Sequence, residues 1–194
     1  MPKNKWVMGM LSLVAAFTLS ACNTGSETSE APVDNAAEEN MSQESGHENM
    51  DHSSSGEVPA DLQEAENPAY PVGSQAIIET GHMDGMKGAE ATIAGAYDTT
   101  AYAVTYTPTT GGEPVENHKW VIHEELENSG DQPLKPGDEV TLAADHMEGM
   151  DGATATIDST ENTTVYMIDF TPTTGGEPVI NHKWVTESEL SPKQ

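Results

Sequence analysis

The residues best suited to chemistry stand in a short pattern that occurs twice, His82-Met83-Asp84-Gly85-Met86 and His146-Met147-Glu148-Gly149-Met150. An imidazole and two thioethers are soft-to-borderline ligands that suit copper, above all Cu(I), and thioethers are poor ligands for calcium or magnesium. The central glycine permits a positive φ, so a tight turn can swing the imidazole and both sulfurs to one side. His82, Met83 and Met86, with His146, Met147 and Met150, are therefore the first candidate ligands. His118 and His182, each in Asn-His-Lys-Trp, are the second rank, able to complete a site within one copy or across the interface between copies. A competing reading exists for every one of these groups. Methionine fills awkward gaps in small cores, Gly-x-x-Gly can simply be a turn, and a histidine beside tryptophan can be hydrogen-bonded in a loop. Asp84, Asp145, Glu148 and Asp151 flank the motifs and read first as solvated surface charge. His123 and Met167 occur in one copy only, so a duplicated site should not depend on them.

The elements that must position these residues are themselves duplicated, at an offset of 64 residues. Thr107-Pro108-Thr109-Thr110-Gly111-Gly112-Glu113-Pro114-Val115 returns unchanged at 171–179, and Asn117-His118-Lys119-Trp120-Val121 returns at 181–185. About 28 of the 45 positions from His82 to Leu126 are identical in the second copy. Each copy reads as β structure. Short apolar runs follow turn signals at 73–78 and 137–142, strand-like segments cover 89–93 and 153–157, and β-branched and aromatic residues dominate 102–106 and 165–170. The Thr-Pro-Thr-Thr-Gly-Gly stretch is loop chemistry, and Lys119-Trp120-Val121 opens a further strand. The expectation is an all-β protein made of two small SH3/KOW-like barrels, repeat 1 over residues 67–133 and repeat 2 over 134–194, packed together because units this small gain by mutual burial.

The chain has 194 residues, a net charge of −26, seven lysines and no arginine. Such a surface repels phosphates, which excludes nucleic acid as a partner. Residues 1–21 read as an export signal, with Lys3 and Lys5 ahead of an apolar stretch too short to span a membrane comfortably. It ends in Leu19-Ser20-Ala21-Cys22, which resembles the lipobox of bacterial lipoproteins; that resemblance implies cleavage before Cys22 and its lipidation. More than one acyl chain would anchor the protein stably at the outer face of the cell membrane. From there to residue 66 the sequence is polar, holds about 12 acids and no lysine, and reads as a disordered, self-repelling tether. Within it, His47, Met50 and His52 repeat the same two ligand types and form a possible accessory metal site.

Over residues 70–190 the repeated His-Met-x-Gly-Met-x-Gly-Ala and Thr-Pro-Thr-Thr-Gly-Gly-Glu-Pro-Val-x-Asn-His-Lys-Trp-Val stretches resemble the YdhK-type lipoproteins of Gram-positive bacteria. The resemblance extends to the staphylococcal copper-resistance lipoprotein CopL, and it implies a non-enzymatic, copper-binding role outside the membrane. Copy one departs just upstream, where Thr80-Gly81 stands in place of Ala144-Asp145, so a contribution of Asp145 would belong to copy two alone. With the only cysteine assigned to lipidation, no serine elbow and no His-Glu-x-x-His pattern, an enzyme is not expected. The alternative is a structural or adhesive module of the cell envelope that binds no metal.

Overall fold

The computed structural model describes residues 53–193. They are all-β: nine strands and two single-turn 3-10 helices, with no α-helix among the described residues. In chain order the strands are β1 (Gln63–Glu64), β2 (Gln75–Ile78), β3 (Glu90–Tyr106), β4 (Val115–Ile122), β5 (Leu126–Glu127), β6 (Glu139–Leu142), β7 (Thr154–Phe170), β8 (Val179–Thr186) and β9 (Leu190–Pro192). The 3-10 turns His123–Glu125 and Glu187–Glu189 precede β5 and β9.

Two strands of 17 residues, β3 and β7, organise the whole. Each joins segments that the sequence pattern presents as separate short strands, because the middle of β3 (Ala94-Gly95-Ala96-Tyr97-Asp98-Thr99-Thr100) carries no clear alternation. That middle finds its partner in the other repeat. β3 and β7 pair antiparallel from Ala91↔Phe170 to Tyr106↔Ala155. Thr99 faces Thr163, its own counterpart in the second copy, so a pseudo-twofold axis runs through this pair. The register shifts between Ile93 and Gly95 and again between Ala103 and Val104, and such bulges let a long strand bend to serve two packing centres.

The short strands then cross between copies. β5 of repeat 1 pairs with β6 of repeat 2, and β9 of repeat 2 pairs with β2 of repeat 1. The apolar cores follow this exchange. One joins Ala76, Ile78, Met86 and Ile93 to Tyr166, Ile168, Phe170 and Leu190. Its counterpart joins Tyr102, Val104, Tyr106 and Leu126 to Leu142, Met150, Ala155 and Ile157. A third core lies between them, where Ala101, Trp120 and Ile122 meet Val165, Met167 and Trp184.

The all-β expectation of two packed repeats holds, and the strands of both join in a single nine-stranded sheet. The reason is size: a unit of about 60 residues buries too small a share of its surface to be secure alone, and each half gains a core only from the other copy. The tether boundary expected at residue 66 also moves. Leu62 is only 8% exposed and joins the central core, Val58 packs beside it, and Gln63 pairs with Asp98. The signal-like segment, Cys22, His47, Met50 and His52 lie outside the described residues.

Because neither copy holds a core of its own, cutting the backbone in the exposed turn at residues 128–132 should leave the two halves bound to each other. Size-exclusion chromatography of the nicked protein is expected to show one species of unchanged elution volume. Separation into two folded fragments would contradict the exchanged architecture.

Candidate metal centre

The turn that follows β2 is pinned by Met86, which is fully buried in the first core, as is Met150 in the second. Burial of a methionine side chain contributes about 1.5–3 kcal/mol, which fixes both turns firmly. Gly85 has φ +72, and a Cβ there would come within 2.5 Å of Thr174 Oγ1 and 2.8 Å of Pro172 Cβ. Thr173 N–H donates to the Gly85 carbonyl at 2.8 Å. The same dock is made in reverse at Gly149, which meets Pro108 and Thr110 and accepts from Thr109 N–H at 2.8 Å. The glycine of each His-Met-x-Gly-Met motif is thus the seat for the Thr-Pro-Thr-Thr loop of the other copy.

Asn117 and Asn181, the third residues of β4 and β8, lie in the left-handed region at φ 51 and 53, a conformation asparagine tolerates better than most residues. The Lys119–Trp120 and Lys183–Trp184 peptide bonds are both cis. Each tryptophan ring enters the central core, and its indole N–H crosses to the carboxylate of the opposite copy. Trp120 Nε1–H donates to Glu189 Oε2 at 2.8 Å, and Trp184 Nε1–H donates to Glu125 Oε2 at 3.1 Å. The same oxygens accept backbone N–H groups, from Thr186 at 3.1 Å and Ile122 at 3.2 Å. The remaining oxygens face the motif histidines: His82 Nε2 lies 2.9 Å from Glu189 Oε1, and His146 Nε2 lies 2.8 Å from Glu125 Oε1.

A carboxylate can only accept, so the ring nitrogen facing it carries the proton and donates. In the neutral ring this leaves the lone pair on Nδ1. In both His82 and His146, Nδ1 is buried and has no hydrogen-bond partner among the described residues. A second histidine stands opposite each. The ring centres of His82 and His182 are 6.5 Å apart, and those of His146 and His118 are 6.3 Å apart. Both pairs combine one residue from each copy, and all four rings line one cavity of about 530 Å³.

The first-ranked ligands divide accordingly. His82 and His146 reach the cavity, and so does Met147, whose sulfur accepts from the Tyr106 hydroxyl at 3.9 Å. Met83 packs half-buried against the first core. Met86 and Met150 are corrected from ligands to core residues: they line no part of the cavity, because the turn folds their side chains inward. His118 and His182 are brought to the centre of the site. Among the described residues no group of three or more His, Cys, Asp or Glu side chains forms a metal cluster, so the geometry is one of histidine pairs. His123 stands apart, between the Tyr102 hydroxyl and the Gly130 carbonyl.

Glu125 and Glu189 were not singled out by residue type. Their signal was present, however: they occupy equivalent positions at the 64-residue offset, each followed by leucine, in a stretch where the flanking residues differ between copies.

A family model described as a protein of unknown function (DUF1541) matches residues 72–123 and 136–187. The uncharacterized protein YdhK of Bacillus subtilis (strain 168) is 60% identical over 190 residues, spanning 98% of this chain and 90% of that protein. A crystal structure of YdhK from that organism aligns with a TM-score of 0.73 at 67% identity, covering 76% of this chain and all of the other. A solution NMR structure of the YdhK C-terminal domain aligns with a TM-score of 0.61 at 68% identity, covering 63% of this chain and 93% of that one.

Electrostatics at the carboxylates yields a prediction. Burial pushes the Glu189 carboxyl up, but the hydrogen bond and charge of the His82 ring, with the Thr186 and Trp120 N–H groups, outweigh it and hold the group at about 2. Burial likewise opposes ionisation of Glu125, and His146, Ile122 N–H and Trp184 turn the balance downward. A carboxyl lowered on folding stabilises the native state above its unfolded value of about 4.5, and that contribution is lost as pH falls towards about 2. Glu189→Gln should therefore flatten the loss of stability across that acid window. Urea unfolding at a series of pH values measures it; a parent and variant with parallel acid profiles would rule this linkage out.

Proposed function

This chain belongs to the DUF1541 family, and from its site we propose that it is a copper-binding lipoprotein that holds copper as Cu(I) at the outer face of the membrane. The carrying observation is the paired histidines, in which His82 and His146 each present a buried Nδ1 whose tautomer is set by a carboxylate behind the ring. Carboxylate–histidine–metal arrangements of this kind orient the ring and raise its basicity as a ligand. An ion about 2 Å from one nitrogen of each ring, with the two bonds opposed, sets the ring centres roughly 6 Å apart. The separations of 6.5 and 6.3 Å fit that span.

Cu(I) suits the donor set better than the common divalent ions. Structural zinc, doubly charged, asks for four ligands in a tetrahedron, whereas the softer, singly charged Cu(I) accepts as few as two. The charge agrees as well, since each neutral histidine pair is backed by one carboxylate, buried at Glu125 and partly buried at Glu189, that a single positive charge would balance. Met147 adds a soft donor at the edge of one pair. The lipobox-like Leu19-Ser20-Ala21-Cys22 supports anchoring through Cys22, and the role that follows is sequestration of copper and a contribution to copper resistance without catalysis. The bound partner is the copper ion itself, with no nucleic acid. A purely structural or adhesive envelope module accounts for Met86, Met150 and the two docked glycines. It offers no reason for two buried, correctly oriented and unpartnered ring nitrogens.

Full-length protein in detergent, titrated with Cu(I) against a chromogenic chelator, should retain two ions per chain. Met86→Leu with Met150→Leu should keep both, and replacement of His82, His118, His146 and His182 by alanine should lose both. Copper retained by the histidine variant, or none retained by the parent, would refute the reading. Glu125→Gln gives a finer check. An amide whose oxygen keeps the Trp184 and Ile122 donors turns its NH₂ towards His146, moves the ring proton to Nδ1, and should cost one of the two ions.

A further inference from the structure

The pseudo-twofold axis makes the two histidine pairs equivalent by sequence, yet one segment breaks that equivalence. Residues 53–57 occur once in the chain and run across repeat 2, with Ser53, Ser54 and Ser55 at the cavity wall. Ser54 N–H donates to the Ile180 carbonyl at 3.0 Å, and Ser54 Oγ donates to the Asn181 carbonyl at 2.6 Å. Ile180 N–H donates to Ser53 Oγ at 3.1 Å, Asn181 Nδ2 donates to the Ser54 carbonyl at 3.4 Å, and Lys183 Nζ donates to the Glu57 carbonyl. Gly56 is required where the strap turns: it has φ +77, and a Cβ would stand 2.7 Å from Asn181 Nδ2. Among the described residues no second copy of this strap crosses the equivalent positions of repeat 1. Asn117 is exposed where Asn181 is half-buried, and His118 is half-buried where His182 is 5% exposed.

We propose that the cavity holds two kinetically distinct ions: a retained one between His82 and His182 under the strap, and an exchangeable one between His118 and His146. This deepens the copper reading above and rests on it. The covered ion can leave only when the strap lifts, a local opening that breaks several hydrogen bonds at once. The other ion lies outside the strap, beside Met147 and Asp145, which line the same cavity. The protein would then carry one stored ion and one available for exchange. The strap is a positioning element and supplies no ligand.

The test is the release of Cu(I) from the loaded full-length protein into excess bathocuproine disulfonate, followed by stopped-flow absorbance. Two phases of equal amplitude are expected, the slower by about tenfold or more, the factor that one net hydrogen bond is worth. His118→Ala should remove the fast phase alone, and His182→Ala the slow phase alone. Ser53→Ala with Ser54→Ala, and separately Gly56→Val, should speed the slow phase towards the fast one while two ions are still bound at equilibrium. Two bound ions leaving in a single phase, or a slow phase unchanged in both strap variants, would overturn this inference and leave the copper site standing. A parent that binds no copper would overturn both.

Discussion

The pairing of β3 with β7 about the Thr99–Thr163 dyad is the constraint on which the rest of the molecule depends. An antiparallel ladder centred on equivalent residues sets the first half of each repeat beside the second half of the other. Every later contact inherits that geometry. The mixed cores, the exchange of β5 and β9, and the seating of each Thr-Pro-Thr-Thr loop on the opposite glycine are all made twice, once in each direction. A symmetric interface of this kind is what a homodimer uses, here within one chain.

The layer between the two lobes is unusual in being charged. Glu125 is 4% exposed and has no lysine beside it, a placement that would be severely destabilising for a bare carboxylate. It is tolerated because three N–H groups converge on it, from an indole, an imidazole and the backbone, and Glu189 repeats the set. These donors come from both copies, so the carboxylate layer ties the lobes together as it orients the histidines. Stability and site geometry therefore share the same few hydrogen bonds.

Much of this was legible in the residues and much was not. The duplication and the β character follow from the repeated stretches, and the same stretches mark His82, His146, His118 and His182 as candidates. The methionines were ambiguous for a physical reason: a thioether is equally at home in a core and on a soft metal, and only the direction of the turn decides. That direction sends Met86 and Met150 inward and leaves Met147 at the cavity. The two glutamates were hidden because their side-chain partners lie 21 to 107 residues away, which no local pattern encodes.

The sequence by itself determined the composition of the site and its twofold repetition: which donors exist, that each occurs twice, and that glycine and asparagine stand where the backbone must turn left-handed. Tertiary structure alone decided which donors meet. His82 pairs with His182 rather than with His118, and the carboxylate behind each ring comes from the opposite copy. The strap of residues 53–57 then makes two equal halves unequal. The reason is that side-chain chemistry is local to a residue, whereas proximity depends on a strand pairing whose partners lie dozens of residues apart.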